Sequence, residues 1–229
     1  MSIGTGKTEL ENGIKLFRNE NYQEAIDSLE KTFENKNDIE SGYHLALAYA
    51  QIQNYDKTLE TFDKIMRRLD NPLRIMQAHI IVGYIYAIKE MYDLAEFELL
   101  DALASGIENT QIHSVLGYIY YKKNNTRKAI DSLRKAVAMD SQSANARNSL
   151  GFILADSGIN IEEGISEIKK ALNMDPKNPA YLDSLGWAFF KKNDIQNAKE
   201  FLTKAFEIAP TNKDIKEHLI KLDQLGYKK

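Results

Sequence analysis

Apolar residues recur along the chain at three- and four-residue spacings, in stretches that short polar segments interrupt. One region shows the pattern clearly. Its apolar positions are Val115, Leu116, Ile119 and Tyr120, followed after a polar break at residues 122–126 by Ala129, Ile130, Leu133, Ala136 and Val137. This period is that of an amphipathic α-helix, so the region predicts two helices of about a dozen residues each, joined by a turn.

Small residues recur at intervals of 33 to 37 residues, which indicates a repeated two-helix unit. They are Gly13, Ala46, Gly83, Gly117, Gly151 and Gly186, with Ala25, Thr58, Ala95, Ala129, Gly164 and Ala198 in step. Six copies are predicted at about residues 6–38, 39–72, 76–109, 110–143, 144–178 and 179–212, with a single capping helix at about 213–225. Asn71-Pro72 is typical of a helix start, and the 37-residue step there predicts a lengthened helix or a change of superhelix angle.

The spacing of large and small residues resembles the tetratricopeptide repeat. Copy six carries the motif as Leu182, Leu185-Gly186, Phe189, Ala198, Leu202 and Pro210. The resemblance implies an all-α, right-handed superhelical solenoid of six helix-turn-helix repeats plus the capping helix, forming one domain over residues 1–229. Over about a third of the chain, copies five and six are also similar to bacterial envelope-associated repeat proteins, some of which are adaptors.

Composition argues against several classes of function. Thirty basic and 33 acidic residues leave no positive excess for a nucleic-acid backbone, and the absence of cysteine excludes thiol catalysis and thiolate-bound metals. The longest apolar-rich stretch, residues 78–88, is shorter than the roughly 20 residues that cross a bilayer, so no membrane insertion is expected. Residues 1–10 lack the apolar segment of an export signal. The expected location is cytoplasmic, or periplasmic if an export signal has been removed.

No arrangement of residues predicts a catalytic, cofactor or metal site. The segment at residues 4–8 (GTGKT) resembles part of a phosphate-binding loop, but Met1 stands where that loop needs glycine and no strand can precede it. The four histidines are too widely spaced in sequence for a coordination motif, so packing roles are expected for them. An enzyme is therefore not expected.

One face of each first helix remains as the candidate binding surface. Residues three before, one after and four after the small residue share this face. The resemblance to tetratricopeptide repeats implies that the face lines a concave groove. The candidate residues here and beside it are Tyr43, Tyr84, Tyr118, Tyr121, Lys122, Asn145, Asn148, Phe152, Asp183, Trp187, Phe190 and Lys191. Aromatic rings stand where relatives often have Asn, which argues against a clamp for a C-terminal carboxylate.

These residues predict a non-catalytic scaffold or adaptor that binds a peptide or helical segment of another protein. Tyr and Trp concentrate binding energy at interfaces, and such a row is too apolar to be left bare on a monomer. Two alternatives remain open for the row of rings. In the first, the aromatics pack against the next repeat or against a terminal helix. In the second, the chain is a structural module whose groove a second copy fills, or a subunit of a bacterial envelope complex.

Overall fold

The computed structural model describes residues 3–104, 106 and 108–226, with side chains for residues 8–104, 106 and 108–224. In this part of the chain there are thirteen α-helices and one short 3-10 turn, and no strand. The helices fall into two compact units, unit 1 (Met1–Glu108) and unit 2 (Asn109–Lys229). Met1, on which the argument against a phosphate loop depends, lies outside the described residues, whereas residues 4–8 belong to the first helix.

Unit 1 consists of three helix pairs in chain order. Its helices are α1 (Ile3–Arg18), α2 (Tyr22–Lys36), α3 (Ile39–Gln51), α4 (Tyr55–Ile65), α5 (Pro72–Ile88) and α6 (Tyr92–Ala104), with the 3-10 turn at Met66–Arg68. Helices α1 and α5 pack most extensively against the helix that follows each of them, whereas α3 packs equally against α2 and α4. Phe62, Ile65, Leu29 and Leu45 are among the buried residues of its core.

Unit 2 repeats the arrangement and adds one helix. Its helices are α7 (Thr110–Lys122), α8 (Thr126–Met139), α9 (Ala144–Asp156), α10 (Ile161–Met174), α11 (Pro179–Lys191), α12 (Ile195–Ile208) and α13 (Lys213–Gly226). The first helices α7, α9 and α11 contact one another in sequence, and α13 packs against α12 and α11. The first-helix faces of unit 2 therefore lie side by side.

The helix boundaries follow from local side-chain chemistry. Asparagine caps many of the helices, as at Asn54, Asn125 and Asn160, where the side-chain oxygen accepts a hydrogen bond from a backbone N–H of the first turn. The turn inside each pair needs one residue in the left-handed region, which Gly158 (φ 69°) supplies in the α9–α10 pair without steric penalty. Polar turn segments in the sequence therefore become tight helical hairpins.

The small residues that mark the period lie where two helices of a pair touch. A Cβ on Gly117 would come within 2.5 Å of Leu133 Cγ, and one on Gly151 within 2.5 Å of the Gly164 backbone oxygen. At Gly151 the obstructing atom is backbone and cannot rotate away, so only glycine allows this approach. This explains why small residues recur once per helix pair.

The structure confirms an all-α fold of paired helices and two local predictions. Helix α5 begins at Pro72 with Asn71 as its cap and has 17 residues, against 13 in α3, α7, α9 and α11. The single terminal helix α13 spans the predicted range. The repeat ranges, the count of six repeats and the continuity of one domain across the two units stay predictions.

Candidate functional site

A pocket of about 380 Å³ opens on the first-helix face of unit 2. We call it the unit-2 pocket. Its lining includes the predicted residues Tyr118, Tyr121, Lys122, Asn148, Phe152 and Asp183, together with His218, Asp214 and Glu217 of α13. The Tyr118 ring is 44% exposed, with Lys122 Nζ 5.5 Å from its centroid. The pocket thus joins an apolar wall on α7 and α9 to a polar wall on α11 and α13.

Asp156, at the end of α9, ties the aromatic residues together. Its carboxylate accepts hydrogen bonds from Tyr121 Oη (2.5 Å), Trp187 Nε1 (2.8 Å) and Lys191 Nζ (3.3 Å). Burial alone would raise the pKa of the Asp156 carboxyl, but these three donors outweigh burial and lower it below the ordinary value. Burial and the same bond raise the pKa of the Tyr121 hydroxyl. The carboxylate therefore fixes residues from α7 and α11 against α9.

Trp187 does not lie open in a groove, contrary to the prediction. It is 7% exposed because α13 covers it: the His218 ring stacks on the indole at 4.1 Å, and Lys221 Nζ lies 5.4 Å from the ring centroid. The Phe190 ring also stacks on the indole, with the centroids 4.7 Å apart. The planes of the Phe190 and His218 rings are each tilted by 16° from the plane of the indole. This is the alternative in which an aromatic residue packs against a terminal helix, and for Trp187 it is the correct one.

Two polar groups of the unit-2 pocket have very different surroundings. The buried Asp183 carboxylate accepts from His218 Nδ1 at 3.0 Å to each oxygen, which assigns the proton to that nitrogen because the carboxylate only accepts. Asn148 Oδ1, in contrast, is buried without any hydrogen-bond partner. An unsatisfied buried acceptor is unfavourable by about 1–3 kcal/mol. The lining of the pocket therefore includes a residue whose buried acceptor has no donor in the free chain.

Unit 1 presents the corresponding face in a different form. Tyr43 was predicted on the binding surface but is 4% exposed, because its hydroxyl donates to Gln77 Oε1 (2.6 Å) and Arg74 lies 4.8 Å above its ring. Tyr84 is 48% exposed and borders a second pocket of about 380 Å³, the unit-1 pocket, with Leu47 and Ala50. Tyr43 is thus a structural residue, whereas Tyr84 is accessible.

The remaining predicted residues support the unit-2 pocket rather than line it. Asn145 accepts a hydrogen bond from Tyr181 Oη (2.6 Å), which joins α9 to α11. Phe190 and Lys191 surround Trp187 and Asp156 as described above. The α13 wall was not predicted, although Ser114, Asn148, Asp183 and His218 follow one another at intervals of 34, 35 and 35 residues. Extending the period by one step would have placed His218 on this face.

The described residues contain no group of three or more His, Cys, Asp or Glu side chains placed to hold a metal ion. His79 Nδ1 pairs with Glu98 at 2.7 Å between α5 and α6, and His113 is 2% exposed, so both have the packing positions expected from the sequence. Among the described helices, none combines the length and apolarity needed to cross a membrane. The cytoplasmic location stays a prediction.

Family models for tetratricopeptide repeats match three parts of the chain. A TPR repeat model covers residues 117–158, and two tetratricopeptide repeat models cover residues 180–212 and 40–69. Over 80 residues the chain is 32% identical to a TPR repeat-containing protein of Pseudomonas aeruginosa. That alignment covers 35% of this chain but only 13% of the relative, so the chain spans a small part of that protein's length.

Solved structures of repeat proteins resemble the chain over most of its length. YrrB, described as a TPR protein with an unusual peptide-binding site, is 25% identical with a TM-score of 0.60, covering 82% of this chain and 96% of YrrB. PilW, described as a widely conserved type IV pilus biogenesis factor, is 14% identical with a TM-score of 0.74, covering 95% and 100%. PilF of Pseudomonas aeruginosa is 13% identical with a TM-score of 0.73, and the match covers 94% of this chain and 97% of PilF. At these identities PilW and PilF show the fold alone.

Proposed function

This chain is a tetratricopeptide repeat protein, and we propose that it is a non-catalytic scaffold whose unit-2 pocket binds a peptide or helical segment of a partner protein. The repeats and their structural relatives support a role in protein–protein interaction. One observation carries the finer assignment. An exposed aromatic residue, Tyr118, and Asn148, whose buried Oδ1 has no hydrogen-bond donor, line the same pocket.

The apolar wall suits an aliphatic or aromatic side chain of the partner. Tyr121 and Phe152 meet edge to face with centroids 6.0 Å apart, and the Asp156 bond holds the Tyr121 ring in place. Because these two rings are already fixed, a ligand side chain loses little of its binding energy to ordering them. Burying one such side chain in a fitted pocket contributes about 1.5–3 kcal/mol.

The polar wall favours a ligand that donates hydrogen bonds. Asn148 Oδ1 lacks a donor, and the exposed side chains of Asp214 and Glu217 line the same pocket. A backbone N–H or a Lys or Arg side chain of the partner meets these requirements, whereas a C-terminal carboxylate does not. We therefore propose an internal segment with an apolar anchor next to donor groups. The peptide-binding site named for YrrB supports this mode, since YrrB shares 25% identity and the fold.

The experiment selects peptides from a random library on the whole chain and measures the affinity of enriched sequences by calorimetry. Tyr118→Ala and Asn148→Leu are each expected to weaken binding about tenfold. Tyr84→Ala is the matched control, because Tyr84 has the same register position and similar exposure (48% against 44%) but borders the unit-1 pocket.

Circular dichroism of each variant checks that the fold is intact. Peptides that bind equally well to the Tyr118 and Asn148 variants, or that lose affinity only with Tyr84→Ala, would place the site elsewhere. Trp187→Ala is unsuitable here, because Trp187 is covered by α13 and its loss disturbs packing rather than contact with a ligand.

A further inference from the structure

The charged side chains that line the unit-2 pocket are of two kinds, those with a partner inside the molecule and those without one. Asp183 is buried and accepts a hydrogen bond from His218 Nδ1 at 3.0 Å. Lys122, Asp214 and Glu217 are exposed, and within the described part of the chain none of them forms an ion pair. These three charges can therefore pair with a ligand without breaking an ion pair of the fold.

The unpaired charges differ in sign between the two ends of the pocket. The first helices of unit 2 contact one another in the order α7, α9, α11 and α13. Lys122 is the last residue of α7, whereas Asp214 and Glu217 lie three residues apart on α13 and share a face of that helix. The lining excludes the other charged residues of this face region, the lysines Lys213, Lys216 and Lys221. The pocket is therefore positive at its α7 end and negative at its α13 end.

Aromatic rings connect the two ends and set the distance between them. The centroids of Tyr121 and Phe152 are 6.0 Å apart, and those of Phe152 and His218 are 6.4 Å apart. Tyr121 directly precedes Lys122, and His218 directly follows Glu217. An extended chain advances about 3.3 Å per residue, so about four residues cover the two ring-to-ring steps. A short segment with an apolar anchor on the rings can therefore reach both charged ends.

This polarity belongs to unit 2 and not to the repeat pattern. None of the ten residues that line the unit-1 pocket is charged. Lys122 stands five residues after the small residue Gly117, and at the same position α3 has Gln51 and α5 has Ile88. Gln51 is part of the unit-1 lining. The two pockets thus share a place on the first helices but differ in the charges that they offer.

We infer that the segment bound by the unit-2 pocket carries a basic side chain on one side of its apolar anchor and an acidic side chain on the other, an inference that rests on the function proposed above. The Lys or Arg side chain meets Asp214 and Glu217, and the Asp or Glu side chain meets Lys122. A segment with the same charge on both sides places one of them against a like charge, which is unfavourable. The unpaired charges therefore select the charge order of the ligand.

The test exchanges the charges of the two ends. Lys122→Glu combined with Glu217→Lys reverses the polarity of the pocket and leaves the net charge of −3 unchanged. Peptides enriched from the random library by the unaltered chain are expected to carry opposite charges on the two sides of an apolar residue. The exchange variant is expected to bind such a peptide about tenfold more weakly, and to regain affinity for a peptide whose acidic and basic residues are exchanged. A regained affinity cannot arise from a misfolded variant.

Asp131→Lys combined with Lys135→Glu is the matched control, because it exchanges two exposed charges on α8 that are not part of the lining. This variant is expected to bind the enriched peptide like the unaltered chain, and added salt is expected to reduce the preference for charge order. Enriched peptides without opposite charges, or equal affinity in the exchange variant, would overturn this inference and leave the proposed scaffold in place. Enriched peptides that ignore both Tyr118→Ala and Asn148→Leu would overturn the proposed site itself.

Discussion

The open and the covered parts of unit 2 show how differently the same repeat position behaves. Tyr118 on α7 and Trp187 on α11 both stand one residue after the repeated glycine, yet Tyr118 is 44% exposed and Trp187 is 7% exposed. Tyr118 borders a pocket, whereas Trp187 is enclosed by residues of α11 and α13. Membership of one periodic series therefore does not fix whether a side chain binds a partner or supports the fold.

The next first helix determines the difference. Beside Trp187, α13 places His218 and Lys221 against the indole. At the corresponding register positions α9 has Asn148, whose side chain is shorter, and Gly151, which has none, so neither extends over the ring of the preceding helix. His218 and Lys221 on α13 therefore cover the ring on the preceding first helix, whereas Asn148 and Gly151 on α9 leave it exposed.

The largest expected change in the free energy of unfolding comes from Trp187→Ala in the covered part of unit 2. Trp187→Ala removes a buried ring that stacks on two others, so we expect it to lower the free energy of unfolding by about 3–5 kcal/mol. Tyr118→Ala at the same repeat position is expected to change it by less than about 1 kcal/mol, because much of the ring is in water. Urea unfolding by circular dichroism, with hydrogen exchange of α11–α13, measures both variants. Equal losses from the two variants would show that burial does not distinguish them.

The next effect concerns Asp156, which joins the open and covered parts. Asp156→Asn weakens an acceptor that serves Tyr121, Trp187 and Lys191, and we expect a loss of about 2 kcal/mol at neutral pH. Thermal unfolding measures the loss. Asp131→Asn, an exposed carboxylate on α8, is the control and is expected to have little effect.

The stability difference between the unaltered chain and Asp156→Asn is expected to depend on pH. Because the folded state lowers the pKa of Asp156 below its ordinary 3.8, its carboxylate stabilises the fold above that pH, and the contribution is lost as pH falls through the lowered value. The stability gap between the unaltered chain and Asp156→Asn should therefore be constant near neutral pH and shrink below about pH 4. A gap that widens with acidity would contradict the assigned direction.

A smaller loss of stability is expected for His218→Ala, which exposes Trp187 to solvent without removing it. His218→Ala deletes the stacked ring and leaves the buried Asp183 carboxylate without this donor, so we expect a loss of about 1–2 kcal/mol. Trp187 is the chain's one tryptophan, so its emission reports the change directly and should shift to longer wavelength. Glu217→Ala, on the same helix and exposed, should leave the emission unchanged. An unshifted spectrum in the His218 variant would mean that α13 does not shield the indole.

The smallest expected effect on stability is at Asn148. Replacing Asn148 by Leu removes a buried acceptor that has no donor, so the free energy of unfolding should stay the same or rise by less than about 1 kcal/mol. Calorimetric unfolding measures this, and the peptide affinity described above should fall in the same variant. A marked loss of stability would show that Asn148 already has a structural role in the free chain.

The sequence predicted paired helices, the polar break between α7 and α8, and the start of α5 at Asn71-Pro72. These features depend on local geometry, which nearby residues specify, as the caps Asn54 and Asn125 and the glycines between paired helices show. Five residues of the predicted face, Tyr118, Tyr121, Asn148, Phe152 and Asp183, line one pocket, and their role in binding stays a prediction. A shared helical face follows from spacing alone.

The sequence prediction failed where exposure depends on distant residues. Trp187 and Tyr43 looked like binding residues, but His218, 31 positions after Trp187, and Gln77, 34 positions after Tyr43, enclose or bond them. The exposure of Leu94, Phe97 and Leu100 on α6 was overlooked for the opposite reason, because apolar residues in a periodic helix normally imply burial. Only the structure shows that Ala95, Leu99 and Ala102 already fill the inward face.

By itself, then, the sequence determined the helices, their pairing and the family, because these depend on contacts between residues close in the chain and on a period repeated several times. The tertiary structure alone decided which aromatic rings are open to a partner and which are enclosed. Burial is a property of what lies against a side chain, and for Trp187 and Tyr118 that neighbour comes from another helix, whose residue types at two positions close the surface or leave it open.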